Sequence, residues 1–507
     1  MSLPRARSSR CHKESQKLLG FPPLRLSCRT ARKAQEFKVI WVDCGTQPTA
    51  STVAMLLAQE AAEEPLLVSG SSDINGSVLN DTIVQRNCSL HIRGNLKGSL
   101  TIEPGANVIV EGSVAGKVVN RGGRLVVNNR GIAEFVRVDG PAEPEAGGIL
   151  RINLAAIAFN WDALAKRVEG ECAAVVKADA YGCGIDPVTA TLAEAGCKTF
   201  FVSNLAEAKR VRAVAPKSTI YVLNGLYAGT GPVFAEANAR PVINSLIELA
   251  EWDVFTSSSQ WKGGFALNVK TGTGGLGISL EEAGALAGRF RLSSHGITLL
   301  ISHLDNAASP DHPLNDRQIR LLQDLRRLYD GVPASLANSP GIFVSPKAHC
   351  DLVRPGSALY GVNPTPGARN PMLPVVELRA RIVQVLNLAP GETVTHNAGW
   401  IAKRSARVVI VPVGYADGYP RSGSGSDNAL QAIVGGRLCR IAGRPSMDQL
   451  AIDVTDLSDS TAARRGEMVT LIGGEIGVDD LATAAKTTSC EVLSHLGHRF
   501  HRIYYAS

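Results

Sequence analysis

Val175-Val176-Lys177-Ala178-Asp179-Ala180-Tyr181-Gly182-Cys183-Gly184 is the stretch whose reading decides the fold. The apolar run Ala173 to Val176 reads as a buried strand. It ends in one lysine. A loop with two glycines follows, then a helix-like segment from about Asp186 to Ala195. A lysine at the end of a buried strand is costly unless it is used. Burial lowers the pKa of an amine, and a neutral amine is a nucleophile that can form a Schiff base. The commoner role of such a lysine is to snorkel to the surface.

Outward from this stretch the pattern alternates strand and helix. Candidate strands are Ala173–Lys177, Thr199–Asn204, Thr219–Leu223, Pro241–Asn244, Phe265–Val269, Gly296–Ser302, Ala334–Asn338 and Leu352–Arg354, with helical segments such as Leu205 to Val214 and Leu314 to Tyr329 between them. Eight alternations fit a (β/α)8 barrel better than an open sheet. In such barrels chemistry sits where strands end. The polar residues Lys177, Asn204, Asn244, His303, Asn338, Ser339 and Arg354 fall there. Each also has an ordinary reading: a hydrogen-bonded histidine, a turn at Asn338-Ser339-Pro340, a surface arginine before Pro355-Gly356. Beyond about Glu377 helices thin out. Alternating runs at Arg379–Val385, Ala406–Val413, Arg437–Ile441 and Met468–Ile472 read as a β domain.

The lysine stretch resembles the pyridoxal-phosphate motif of the alanine racemases, where the lysine is followed by a small residue, Asn or Asp, Ala, Tyr and Gly. The likeness runs from about Leu150 to Tyr505 and continues in Val353-Arg354-Pro355-Gly356-Ser357, in Val413-Gly414-Tyr415-Ala416-Asp417-Gly418-Tyr419, in Arg444-Pro445-Ser446-Met447-Asp448, in Cys490-Glu491-Val492-Leu493 and in Arg502-Ile503-Tyr504. The resemblance implies a fold-type III enzyme, with a pyridoxal 5'-phosphate-binding (β/α)8 barrel over 149–377 and a C-terminal β domain over 378–507. It implies an amino-acid substrate, interconversion of L- and D-alanine for peptidoglycan, and a homodimer with shared active sites. Lys177 would carry the cofactor and act as one acid/base group. Tyr181, His303, Asn338, Ser339, Arg354, Gly356, Ser357 and Tyr504 would hold the cofactor. Arg354 would face the pyridine nitrogen; a guanidinium only donates, so that nitrogen stays unprotonated and the cofactor is a weaker electron sink. Met447, through its backbone N–H, and Tyr415 would meet the substrate.

Several positions depart from the family pattern. Racemisation needs acid/base groups on both faces of Cα, and the family's second group is a tyrosine. Here His396 stands in its place, in Thr395-His396-Asn397-Ala398. In Leu267 to Gly277, Asn268 replaces a modified lysine, Lys270 an aspartate, Thr273 a methionine and Gly275 an arginine that holds the substrate carboxylate. Cys183 stands where a histidine is usual. These changes suit a racemase of another amino acid, or a catalytically weak cofactor-binding scaffold. A one-base aldolase or decarboxylase of the same barrel type is disfavoured by the short barrel and the Val353–Gly356 motif.

The first 148 residues have no part in that likeness. Residues 1–40 hold ten Lys/Arg and two acids, so the net charge of +7 becomes −1 over the remaining 467 residues. The body therefore offers no basic footprint for nucleic acid. The basic arm, 1–36, reads as disordered or as a targeting segment. A cytoplasmic site is expected, with organelle targeting the alternative. No apolar run approaches the roughly 20 residues of a membrane span, and no partner membrane is expected. The 10 Cys form no C-x-x-C or Cys/His cluster, which predicts a reducing compartment and no metal. Residues 37–148 read as a β-rich extension. After a strand, helix and strand over 37–69, Gly76, Gly94 and Gly112 recur at 18-residue spacing, with Gly131 one residue late. The runs Ser89–Ile92, Ser99–Ile102, Asn107–Val110 and Arg124–Val127 lie between them. About three repeats of this kind suggest a small β-solenoid. They resemble the β-helix modules of bacterial cytoskeletal, bactofilin-like proteins; the alternative is a β-meander. A Pro/Glu/Gly linker spans 140–148.

Overall fold

The computed structural model describes residues 65–506, apart from 128–131, 140, 142, 260, 273–274, 290–295, 395–398, 423–429 and 460. The basic arm, the expected helix over about 50–62, Gly131 and His396 lie outside the described residues.

The glycine repeat is a three-sided parallel β-solenoid. One side stacks Leu66–Val68, Thr82–Val84, Leu100–Ile102 and part of Ser113–Asn120; a second stacks Ser71–Ile74, Ser89–Ile92, Asn107–Val110 and Arg124–Val127; a third stacks Ser77–Val78, Asn95–Leu96 and the start of Ser113–Asn120. Register is in step with the repeat: Thr82 pairs with Leu100 and Leu100 with Val118, while Ser77 pairs with Asn95 and Asn95 with Ser113. Period-two alternation turns every second side chain inward. Ile74, Ile92 and Val110 thus stack in the core, as do Val78, Leu96 and Val114. The repeated glycines mark a corner. A Cβ at Gly94 would overlap the Gly76 carbonyl oxygen, and one at Gly112 the Gly94 carbonyl oxygen. Backbone meets backbone there.

The barrel is built from short runs buried on both faces, as parallel strands require. Thr199–Val202 is buried throughout. Ala174–Val175, Thr199–Val202, Thr219–Val222, Arg240–Ile243, Phe265–Asn268, Ile297–Ile301 and Ala334–Ser335 form one parallel sheet in that order. Leu352–Val353 closes it. It pairs in parallel with Glu171–Cys172, and Asp351 and Arg354 donate their N–H groups to Ala334 and Ala337 carbonyls. Val175, Phe201, Tyr221, Val242, Ala266, Leu299 and Ile301 fill the interior. Helices such as Leu205–Val214 and Pro313–Leu328 pack outside.

The β domain was expected; its continuity with the solenoid was not. The terminal strand His501–Tyr505 pairs in parallel with Gly148–Asn153, which runs antiparallel to Val376–Arg381. The other edge of the terminal strand pairs antiparallel with Ile132–Asp139, which continues the solenoid side through Ser113–Asn120. One sheet therefore runs from the first coil into the C-terminal domain. A second sheet holds Gln384–Leu388, Ala406–Val411 and Leu450–Asp453.

Gly112→Ala forces a Cβ into the neighbouring coil's backbone and is expected to lower the solenoid's local stability by about 1–3 kcal/mol. Hydrogen exchange of the amides in 89–120 measures it, with exposed Leu79→Ala as a control expected to stay within about 0.5 kcal/mol.

Candidate active site

Lys177 leaves the barrel where Ala174–Val175 ends. The chain then does something local propensity disfavours. Ala178, Asp179, Ala180 and Tyr181 all have φ of +53 or +54, and Gly182 follows at +76. This is a left-handed helical turn of four non-glycine residues. L-residues resist it by roughly 1–2 kcal/mol each, so the turn must be held from outside.

Several groups hold it. Glu207 accepts the Ala178 N–H at 2.7 Å and the Asp179 N–H at 3.4 Å through one oxygen, and the Ser203 N–H at 2.8 Å through the other. Asp179 accepts from Ile185 N–H at 3.0 Å and from Arg210 at 2.8 Å. Arg502, in the terminal strand, donates to the Gly182 carbonyl at 2.7 Å. The Tyr360 hydroxyl donates to the Val175 carbonyl at 3.0 Å, just before the lysine. Glu207, Arg210 and Tyr360 do not stand out in the sequence as part of the site, and Asp179 and Arg502 enter only as members of the motifs that carry the resemblance. Asn204-Leu205-Ala206-Glu207 carried a signal, because Asn followed three residues later by Glu is a helix N-terminus pattern. Asn204 does cap Leu205–Val214, accepting the Glu207 N–H at 3.0 Å.

The other barrel-end residues form one group with the lysine. Arg354 is buried; its Nε donates to Ser335 Oγ at 2.8 Å, and its Nη2 donates to the carbonyls of Ser302 and, at 3.4 Å, Leu336. Among the described residues the protein engages Nε and Nη2 and leaves Nη1. Burial pushes Arg354 down to about 10, so it stays charged at neutral pH. His303 Nε2 lies 3.4 Å from Asn338 Nδ2. Desolvation at the barrel end, then the Arg354 charge, push His303 below its ordinary 6.5; Asp305 opposes and Lys177 adds to the fall. Ser339 Oγ accepts from Gly356 N–H at 2.9 Å and Ala358 N–H at 3.2 Å. The Gly356 N–H is thus engaged within the chain, whereas the Ser339 hydroxyl keeps its proton to donate. Ser357 begins the short turn Ser357–Tyr360. The Tyr181 hydroxyl fills the space a Cβ at Gly356 would need, and the Tyr504 hydroxyl does the same at Gly184. Tyr181 also stacks on Tyr360 at 4.7 Å between centroids.

Met447 and Tyr415 form a second group. Tyr415 N–H donates to the Ser446 carbonyl and Ala416 N–H to the Met447 carbonyl, both at 3.0 Å. Both side chains are exposed. Asp417 and Asp448 pair with Arg499 at 3.2 and 2.9 Å, tying the two loops together. A cleft of about 770 Å³ beside Tyr415 is lined by Tyr419, Arg421, Arg444, Lys486 and Glu491. Helix Ser489–His495 touches both groups: its Leu493 carbonyl packs on Gly182 and its His495 carbonyl on Gly418.

The departures from the racemase pattern have visible settings. Asn268 donates to Asn244 Oδ1 at 2.8 Å and to the Leu276 carbonyl at 3.1 Å. Gly275 has φ of +82, and a Cβ there would meet nothing within 4 Å. Thr273 lies outside the described residues. Cys183 is buried, and burial pushes its thiol up to about 12.

The donor set fits a phosphorylated aldehyde cofactor. It offers one amine at a strand end, a guanidinium that donates and accepts nothing, and the hydroxyls of Ser339 and Tyr504 for an anion.

The profile of the alanine racemase N-terminal domain matches residues 152–364, and that of the C-terminal domain matches residues 375–504. The chain is 46% identical over 359 residues to an alanine racemase of Methylobacterium sp. (strain 4-46), covering 71% of this chain and 98% of that protein. It is 42% identical over 355 residues to that of Acidiphilium cryptum, covering 70% and 98%. Among solved structures, alanine racemase from Bartonella henselae with covalently bound pyridoxal phosphate superposes with a TM-score of 0.67 at 32% identity, over 72% of this chain and 100% of that one.

Because His303 has a folded pKa below 6.5, the unfolded chain binds more protons as pH falls. The stability this neutral ring contributes is full above 6.5 and is lost as pH drops through its folded value. An acid-side stability titration is expected to show this slope, and His303→Gln to flatten it.

Proposed function

The chain belongs to the alanine racemase family, and we propose that it interconverts L-alanine and D-alanine with pyridoxal 5'-phosphate held on Lys177. The observation that carries the proposal is the convergence of Lys177, Tyr181, His303 and Arg354 at one barrel end, in a turn braced to keep the lysine there. The cofactor, when bound, supplies an electron sink for the bond at the substrate Cα. The protein supplies position and protons. Lys177 Nζ removes or returns the Cα proton on one face, serving the D-isomer. Ser339 and Tyr504, together with Ser357 N–H, would hold the phosphate, and Asn338 supports His303, whose neutral ring would pack against the cofactor. Arg354, through Nη1, would donate to the ring nitrogen.

His396 of the partner subunit serves the opposite face, for the L-isomer, in the position of the family's tyrosine. The strands that flank it in sequence, Thr393–Val394 and Trp400–Ile401, pair antiparallel. Tyr415 and the backbone N–H of Met447 meet the substrate carboxylate side. The working unit in this reading is a homodimer in the cytoplasm, supplying D-alanine for the cell wall. Among the described residues no helix is long and apolar enough to cross a membrane. The division at 149–377 and 378–507 assigns most of the cofactor site to the first part, and Tyr504 and the partner-facing groups to the second.

Gly275 favours a second reading, a racemase for another amino acid: where an arginine would hold a carboxylate there is open space.

The test is incubation of the cofactor-loaded protein with L-alanine in heavy water. Deuteration at Cα together with D-alanine is expected. Lys177→Ala should abolish both, along with the visible absorbance of the bound cofactor; absorbance surviving that change would overturn the central assignment. His396→Phe is expected to slow D-alanine formation by about 10²-fold or more. Faster exchange with a larger amino acid than with alanine would select the second reading.

A further inference from the structure

We propose that Glu207, assisted by Arg210, is a positioning residue for Lys177: it holds the left-handed turn that sets where the lysine's amine stands. This rests on the reading of Lys177 as the cofactor lysine. Three facts carry it. The turn is four consecutive non-glycine residues at positive φ, a conformation such residues do not hold unaided. The half-buried Glu207 carboxylate accepts from the two N–H groups directly after the lysine, Ala178 and Asp179. Its second oxygen fixes Ser203 N–H, at the end of the adjacent barrel strand, so the turn is referenced to the barrel wall.

Glu207 is not where local chemistry would put it. A glutamate three residues into a helix ordinarily returns to its own N-cap N–H. Here it reaches back to Ser203 and across 29 residues of sequence to Ala178. Arg210, one helical turn on, adds a clamp to the same turn, bonding Asp179 at 2.8 Å and Asp186 at 2.9 Å. The Tyr360 hydroxyl fixes Val175 on the other side of the lysine. The backbone is thus pinned both before and after Lys177. Without the carboxylate, Ala178 and Asp179 lose their charged acceptor and the turn gains freedom to relax toward right-handed φ. The amine then leaves its place although Lys177 itself is unchanged.

The experiment compares Glu207→Ala and the near-isosteric Glu207→Gln with Lys177→Ala and with Arg212→Gln. Arg212 lies on the same helix and donates to the carbonyls of Ala237, Pro216, Ser218 and Asn238, away from the turn, so its loss loosens how the helix end is held without touching the turn. The readouts are the pH titration of the bound cofactor's visible absorbance, pyridoxal-phosphate Kd by dialysis, and kcat and KM for L-alanine. Glu207→Ala is expected to weaken cofactor binding about tenfold and to lower kcat about tenfold. It should shift the absorbance titration and leave KM within about twofold. Glu207→Gln should fall between it and the native protein, and carries the test alone if the alanine variant does not fold. Unchanged titration, Kd and kcat in the folded Glu207 variants would overturn the proposal. So would the same changes in Arg212→Gln at an equal loss of Tm. Absorbance that survives Lys177→Ala refutes the underlying reading instead, which separates the two failures.

Discussion

Everything at the barrel end depends on one backbone constraint, the left-handed path from Ala178 to Tyr181. A right-handed continuation would extend the strand into a helix and carry the chain straight off the barrel. The left-handed turn folds it back under Tyr504 and against helix Ser489–His495, with Gly182 and Gly184 at the two closest approaches. The strain of four such residues, about 4–8 kcal/mol at the usual rate per residue, is comparable with the net stability of a whole domain. It persists because a carboxylate, two guanidinium groups and a tyrosine hydroxyl from three other parts of the chain all bond this segment.

One of those parts is the terminal strand, which also joins one solenoid side and the C-terminal domain in one sheet. Arg502 and Tyr504 sit on it, with Gly148–Asn153 on one side and Ile132–Asp139 on the other. In the register of the second pairing Asp139 faces Arg502 and Arg137 faces Tyr504. The solenoid is therefore not a flexible tether appended to a catalytic body. Its last strand covers the edge of the strand that carries the residues nearest the lysine turn, satisfying backbone groups that an edge strand would leave open.

What the sequence made legible follows from range. The 18-residue glycine spacing was readable because each coil repeats its neighbour, and Gly94 and Gly112 sit where a side chain would strike the coil before. The barrel strands were readable because parallel strands buried on both faces are plain apolar runs. Lys177 and Arg354 stood out as charges at the ends of such runs. Glu207 did not, because Asn204-Leu205-Ala206-Glu207 has a complete local explanation and its true partner is remote. Arg502 and Gly182 are 320 residues apart, and no periodicity reports a contact of that kind. The left-handed turn runs against the propensity of Ala-Asp-Ala-Tyr, so local reasoning returns a loop. Asn204 and Asn244 show the converse ambiguity: a strand-end position fits a ligand and a structural amide equally well. Asn204 is a helix cap, and Asn244 bonds Val242 and Asn268.

The same distinction bears on the residues this chain keeps and those it has changed. Arg354 holds Ser335 and Ser302, Ser339 holds Gly356 and Ala358, and Tyr181 fills the space above Gly356. Each has a structural task, so the fold alone would demand it, and its presence says little about turnover. Gly275 is the reverse case. Nothing lies within 4 Å of the side chain it lacks, so no packing contact asks for a side chain there, and its φ of +82 suits glycine. A lost charge-assisted hydrogen bond is worth about 1.5–3 kcal/mol, or roughly one to two orders of magnitude in rate when the contact is made in the transition state. Of the changed positions, Asn268 holds Asn244 and the Leu276 carbonyl and Cys183 packs in the core, whereas the change at Gly275 removes a charge without disturbing packing; the barrel end that would hold the cofactor is fixed by the fold itself.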